Sequence, residues 1–497
     1  MKMQEKYILS IDQSTSGTKT LLVDHHGNII SRAAKEHRQY YPKPGWVEHD
    51  PLEIYENVKL TARLVLNQAG VEPSMLAALT ITNQRETALV WNKRTGLPIY
   101  NAVVWQCQRT AEVCTGLKET GLEPAVRAKT GLMLDPYFSA TKFKWILDHT
   151  EDADQMLRKG ELLAGNMDSW LIWKLTGGQV HATDYSNASR TSLYNIHNLS
   201  WDEELADVFG VPLSLMPEVK SSDSLFGYTA DHELFVERIP ISGIIGDSQG
   251  ALYGHLCAES GTAKATYGTG TSIMMNTGEQ PINEGEGLVT TIAWGAGGTV
   301  TYALEAVIRT TGDSIKWIRD NLGLFATYEE MDNILKQVID SEGVYLVPAF
   351  GGLGAPYWNP DARAAILGMN RGTGKAHIIR AAIESIAYQV NDAIDLLQSV
   401  SDSSLRELRV DGGATDNNIL MQFQTDILGK CVRRSGVAEL SAMGSIYMGG
   451  LAIGFWDSLT EIPVQSENSR FNPSMDSKKR ACYVNGWKQA VTSVIGT

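Results

Sequence analysis

Residues 7–24, YILSIDQSTSGTKTLLVD, place two apolar, β-branched runs on either side of a polar stretch. The alternation predicts strands over 7–12 and 19–24. The turn His25-His26-Gly27-Asn28 leads to a third over 29–32. The pattern returns in mid-chain, where a buried strand over 239–246 runs into Asp247 and a helical stretch follows over 249–256. Strands over 262–267 and 272–276 then flank the turn Gly268-Thr269-Gly270. Further on, a strand over 408–410 enters Asp411-Gly412-Gly413-Ala414-Thr415. Ile379, Ile383, Ile386, Val390, Ile394 and Leu397 step by three and four, the period of one apolar helix face, and are read as core. Strands mixed with helices, with a similar hairpin near the start of each half, predict an α/β chain of two like domains, 1–250 and 251–497, around a central cleft.

Length and composition narrow the class. The chain has 497 residues, enough for two or three full cores, with 43% hydrophobic and 20% charged residues. A net charge of −14 argues against nucleic acid as a partner but leaves room for a phosphorylated small ligand in a local loop. The five cysteines, at 107, 114, 257, 431 and 482, form no CxxC and no metal spacing, as expected of reduced thiols. MKMQEKYILS enters a strand without an apolar leader, and no apolar run reaches membrane-span length. A cytoplasmic protein with no membrane span is the expectation. His25 and His26 have no third ligand nearby and read as a polar turn.

The loops carry the candidate chemistry. Ser14, Thr15 and Ser16, with Gly17, offer hydroxyls and closely approachable N–H groups to a phosphate, and Lys19 adds charge at the far end. The lysine pattern of a P-loop is absent. Two such hairpins facing across a cleft could hold terminal phosphates from both sides, with Asp12 holding Mg²⁺ through water. Asp247, between strand and helix, reads either as a helix cap or as a general base toward an attacking hydroxyl. Arg85-Glu86, after a strand over 79–82, reads either as a surface ion pair or as a donor and an acceptor for vicinal hydroxyls.

Long segments resemble the FGGY family of carbohydrate kinases, and within it the glycerol kinase branch. They include YPKPGWVEHDP (41–51), ITNQRET (81–87), YNAVVWQC (100–107), DPYFSATKFKWILDH (135–149), TDYSNASRT (183–191), VPAFGGLGAPYW (347–358) and VDGGATDNN (410–418). Segments 137–149 and 364–384 fit the two signature patterns of the family. The resemblance implies two actin-like ATPase domains, of the ribonuclease-H-like fold, closing on ATP and substrate. It implies Asp247 as base, and Asp12 and Asp247 on the Mg²⁺ side. Gly268, Thr269, Gly312, Lys316, Gly413 and Asn417 would meet the nucleotide. Arg85, Glu86, Trp105 and Tyr137 would hold a polyol, and the enzyme would be a homo-oligomer, dimer or tetramer.

Departures from that branch fall on the acceptor pocket. Its members usually read GDQQAA after the base strand, where this chain has Ser248 in place of the first glutamine after the aspartate. They carry an aromatic that packs on the acceptor carbons where this chain has Ser272. DQSTSGTK replaces the usual DQGTTSSR and is closer to sugar-kinase members. Both pocket changes are large to small, and a lost aromatic wall leaves a void on the order of 100 Å³ unless neighbours or a bigger substrate fill it. Glycerol and a longer polyol or sugar of four or five carbons both stay open as acceptors. Segment 228–238, YTADHELFVER, lacks the glycine-rich loop tied to allosteric inhibition in some members. Glu233, beside His232, stands where others carry a phosphorylated histidine. Actin-like folds also serve as non-catalytic sensors; no extra binding tail is the expectation here, and Arg85, Glu86 and Asp247 are intact.

Overall fold

The structure, a computed structural model, describes residues 5–282, 287–359, 361–401, 403–463 and 469–496. The first sheet is built from β1 (Tyr7–Gln13), β2 (Gly17–Asp24), β3 (Ile29–Glu36), β4 (Leu76–Asn83) and β5 (Ile241–Gly246), in the order β5-β4-β1-β2-β3. β1 and β2 pair antiparallel with Asp12 opposite Lys19, whereas β4 runs parallel to β1. Both expected hairpin strands form, each longer by one or two polar residues at the turn because ladder hydrogen bonds continue past the apolar run. Helix α1 (Pro51–Ala69) is capped by Asp50, whose side chain accepts from the Leu52 N–H, and ends at Gly70 in the left-handed region. It covers β2 and β3.

Helix α2 (Asp247–Gly254) follows β5 at once, so it begins at the aspartate, two residues before the expected helix. Residue 250 therefore lies inside this helix. The second sheet has seven strands: β6 (Ala263–Tyr267), β7 (Thr271–Gly278), β8 (Val289–Ala296), β9 (Thr299–Ile308), β10 (Leu408–Asp411), β11 (Val432–Arg434) and β12 (Ser469–Phe471). Their order is β8-β9-β7-β6-β10-β11-β12. Helix α3 (Gly312–Asp320) follows β9. The stepped isoleucines lie on α4 (Lys375–Ser401), where Ile379, Ile383, Ile386, Val390, Ile394 and Leu397 are all buried in one core with Val410 and Leu420. Helix α5 (Asn418–Leu428) packs against α4.

The last central helix, α6 (Leu440–Ala452), returns to the first sheet and packs on β1, β4, β5 and α2. Ser445 Oγ lies 2.9 Å from Ser10 Oγ and 3.0 Å from Thr80 Oγ1. Glycines allow the approach: a Cβ on Gly444 would lie 1.9 Å from the Gly250 carbonyl oxygen, and one on Gly243 would lie 2.4 Å from that of Ser445.

Candidate active site

Both hairpin tips are built by glycine. Ser14 N–H and Oγ each donate to the Gly17 carbonyl at 2.9 Å, closing the first turn. A Cβ on Gly17 would lie 2.7 Å from the Lys35 carbonyl oxygen, so β3 can pass only under a glycine. The Ser14 hydroxyl, expected to face a phosphate, is engaged within its own turn. Thr15 Oγ1 accepts from Trp105 Nε1 at 2.9 Å, and its carbonyl accepts from Gln39 Nε2 at 2.8 Å. Ser16 and Lys19 are exposed.

At the second tip, Gly268 N–H donates to the Gly270 carbonyl at 2.8 Å. Gly312 N–H and Thr311 N–H donate to the carbonyls of Gly268 (3.1 Å) and Thr269 (2.9 Å), joining the start of α3 to the turn. Gly268, Thr269, Gly312, Lys316, Gly413 and Asn417 line one cavity of about 560 Å³. Ile315, Ile383, Ile386 and Leu420 give it an apolar wall, as a flat ring would require. Asn417 also caps α5, its Oδ1 accepting from Leu420 N–H at 2.9 Å.

The polar centre lies between the sheets. Arg85 and Glu86 are not a surface pair: their side chains are 5% and 1% exposed. Arg85 Nε lies 3.8 Å from Glu86 Oε1, and Glu86 has φ of 60°, a left-handed conformation that a non-glycine residue holds only under constraint. The Arg85 guanidinium reaches Asp247 Oδ1 through Nε at 3.2 Å and Glu305 Oε1 through Nη2 at 2.9 Å. Arg190 Nε donates to Glu86 at 2.6 Å, and its Nη2 to Glu305 at 2.9 Å. The two arginines and two glutamates balance one another in a dry setting. Burial pushes the Glu305 carboxyl up, but Arg190 and Arg85 outweigh it and hold it down at about 2. At Glu86 burial outweighs the same arginines and the carboxyl is raised.

Asp247 is the first residue of α2; the cap is Gly246, and Asp247 Oδ1 accepts from Ser248 N–H at 2.7 Å. Its side chain remains 38% exposed, enough to meet a substrate while Arg85 fixes its direction. Trp105 and Tyr137 form an edge-to-face pair with centroids 5.4 Å apart, and the Arg190 guanidinium lies 5.9 Å from the Tyr137 ring centre. Ser248 and Ser272 are half-buried. Asp12 is buried, and burial pushes its carboxyl up to about 7, with Lys19 pulling it down and Asp247 adding to the rise.

The structure thus gathers Arg85, Glu86 and Asp247 in one network, to which Ser272 joins through Glu305. Arg190, Glu305, Gln249 and Lys264 also belong there and were not singled out from the sequence. Gln249 Oε1 accepts from Arg85 Nη1 at 3.2 Å. An acid in the apolar run of β9 was the one available signal for Glu305. Among the described residues no cluster of three or more metal-ligating side chains forms, and no helix is long and apolar enough to cross a membrane.

Residues 7–254 match the N-terminal domain model of the FGGY family of carbohydrate kinases, and residues 263–453 its C-terminal domain model. The chain belongs to that family. It is therefore an ATP-dependent phosphotransferase with the two-domain α/β fold of these kinases. A glycerol kinase of Bacillus licheniformis is 50% identical over 490 residues, 98% of this chain and 99% of the relative. One of Caldanaerobacter subterraneus subsp. tengcongensis is 52% identical over 487 residues, 98% of each. The crystal structure of Plasmodium falciparum glycerol kinase with ADP superposes with a TM-score of 0.94 at 38% identity, covering 99% of this chain and 98% of that one. A ligand-bound xylulose kinase from Lactobacillus acidophilus shares the fold, with a TM-score of 0.87 at 20% identity over 99% of each chain.

Proposed function

We propose that this FGGY kinase transfers the γ-phosphoryl group of ATP to a primary hydroxyl of glycerol or a glycerol-like polyol. The observation that carries the reading is the half-exposed Asp247 carboxylate, aimed by Arg85 from a buried donor–acceptor network. The identity of about 50% to glycerol kinases over nearly the whole chain supports the acceptor class.

On this reading the adenosine occupies the cavity beside α3 and α5, and the phosphates extend between the two glycine tips. Arg85 donates to one acceptor hydroxyl and Glu86 accepts from its neighbour, while Trp105 and Tyr137 pack on the carbon chain. Asp247 takes the proton of the third hydroxyl as its oxygen attacks the γ-phosphorus. A new O–P bond forms, the bond from the bridging oxygen to the γ-phosphorus breaks, and ADP leaves with that electron pair. Asp12 and Asp247 suit Mg²⁺: burial, and less so the Asp247 charge, disfavour the ionised Asp12 carboxyl, and a divalent cation beside it would offset that. When bound, Mg²⁺ neutralises charge developing on the phosphates.

ADP release measured with ATP and glycerol, for the parent and Asp247→Asn, tests the assignment. The amide accepts no proton, so turnover should fall about 10²–10⁴-fold while ADP still raises the melting temperature. Near-normal turnover in the variant would refute Asp247 as base. A parent that releases no ADP with any polyol would favour the non-catalytic sensor instead.

A further inference from the structure

The inner wall of the second sheet carries a polar group outside the acceptor contacts proposed above. Lys264 and Thr266 on β6, Ser272 on β7, and Glu305 and Val307 on β9 lie on one face of the sheet. The register pairs Thr266 with Ser272, and Ser272 with Val307. Glu305 belongs to the Arg85–Arg190 network, so this face is the wall of the acceptor pocket.

Lys264 is 1% exposed, yet every hydrogen bond its ammonium makes goes to a neutral oxygen. It reaches Thr266 Oγ1 at 3.2 Å, Ser272 Oγ at 3.2 Å and the Ser272 carbonyl at 3.4 Å. Ser272 Oγ in turn lies 3.4 Å from Glu305 Oε1. All four contacts are long for bonds to charged groups, which are usually about 2.7–2.9 Å. A hydroxyl between an ammonium and a carboxylate is bound by accepting from one and donating to the other. Ser272 is half-buried and Val307 is 39% exposed, so the place opens to the pocket.

We propose that Lys264, Thr266 and Ser272, with Glu305, form a station for one more substrate hydroxyl. The acceptor is then an open-chain polyol of four or five carbons; this rests on the polyol kinase reading above. A three-carbon acceptor spends its hydroxyls on Asp247, Arg85 and Glu86. A fourth carbon carries a further hydroxyl onward, and the polar path Asp247–Arg85–Glu305–Ser272, at 3.2, 2.9 and 3.4 Å, marks where it goes. Phenylalanine at 272 would place a ring over the Lys264 ammonium and close the station, which makes residue 272 the specificity determinant.

The test is kcat/KM for glycerol, erythritol, ribitol and xylitol at saturating ATP, for the full-length parent, Ser272→Ala and Ser272→Phe. The parent should favour at least one longer polyol over glycerol. Ser272→Ala, which deletes only the hydroxyl, should lower that longer-to-glycerol ratio about threefold or more. Ser272→Phe should lower it about tenfold or more, with ADP-induced thermal stabilisation as the check that the variant is folded. A parent that prefers glycerol to all three, or a ratio unmoved by either substitution, overturns the station while the polyol kinase reading stands. A parent that phosphorylates none of the four removes that reading and the station together.

Discussion

The Nε of Arg85 lies 3.2 Å from Asp247 Oδ1, so the guanidinium proposed to bind the acceptor also aims the proposed base. Lysine keeps the charge but cannot span Asp247 and Glu305 at once. Arg85→Lys should lower kcat/KM for the acceptor about 10²-fold, because small misplacements of reacting groups cost that much. ADP affinity should stay within about twofold, since the nucleotide cavity is untouched. Steady-state kinetics with calorimetric ADP binding decide, and a kcat/KM close to the parent's would separate the two roles.

Arg190 bridges Glu86 and Glu305 from inside the fold. Arg190→Met leaves two buried carboxylates sharing only Arg85. Breaking such a network by removing one partner costs about 3–5 kcal/mol. Denaturant unfolding should record that loss. A difference under about 1 kcal/mol would mean that water or a shifted side chain replaces the guanidinium.

The second tip tolerates no side chain where α3 begins. A Cβ on Gly312 would lie 2.5 Å from the Gly268 carbonyl oxygen, which is backbone and cannot swing aside. Gly312→Ala should push the turn out of place and raise KM for ATP about tenfold or more, with acceptor KM within about twofold. Equal rises in both would point to a disturbance of the whole cleft.

Asp12→Asn preserves shape and removes charge beside the phosphates. The Mg²⁺ concentration for half-maximal velocity should rise about tenfold, as expected when a hard cation loses one of its few carboxylates. An unchanged magnesium titration argues that Asp12 has no part in holding the metal.

His49 sits behind the first tip. Its Nε2 lies 2.7 Å from Gln39 Oε1 and its Nδ1 3.3 Å from Gln84 Nε2, with the His37 ring edge-on at 4.5 Å. Burial, and secondarily His37, hold its pKa down at about 3. The folded pKa is depressed below the unfolded value of about 6.5, so the ring contributes stability that is present above pH 6.5 and lost as pH falls toward 3. The stability gap between the parent and His49→Gln should therefore narrow by about 1.4 kcal/mol per pH unit below 6.5. Unfolding at pH 7 and pH 5 measures it, and a constant gap would show the ring protonating in place.

The hairpins were legible because alternation and β-branching are local signals. The helix carrying Ile379 to Leu397 was legible for the same reason, with a period of 3.6. Strand ends shifted because polar residues such as Gln13 and Gly17 continue the ladder without announcing it. The network members missed have no local signature: Arg190 acquires its meaning only against Glu86, 104 residues earlier, and Glu305 against Arg85, 220 residues earlier. The Ser14 hydroxyl shows how residue type and local geometry can each suggest a partner. Its residue type suits a phosphate, yet its nearest acceptor is the carbonyl three residues on. The family segments carried what spacing could not, and the chemistry of residue 272 emerged only once Lys264 and Glu305 stood beside it.

The return of α6 to the first sheet sets an order of events during synthesis. Ser10, Thr80, Gly243 and Gly250 emerge early from the ribosome, but the surface they share is covered only by residues 440–452. Until those residues are translated, that side of the first sheet has only α2 against it and lacks its larger partner, so most of the burial there must wait. The nascent N-terminal half is thus an unfinished body whose last layer arrives when nine-tenths of the chain has been made, so a truncation before residue 440 removes a wall of the first domain as well as the end of the second.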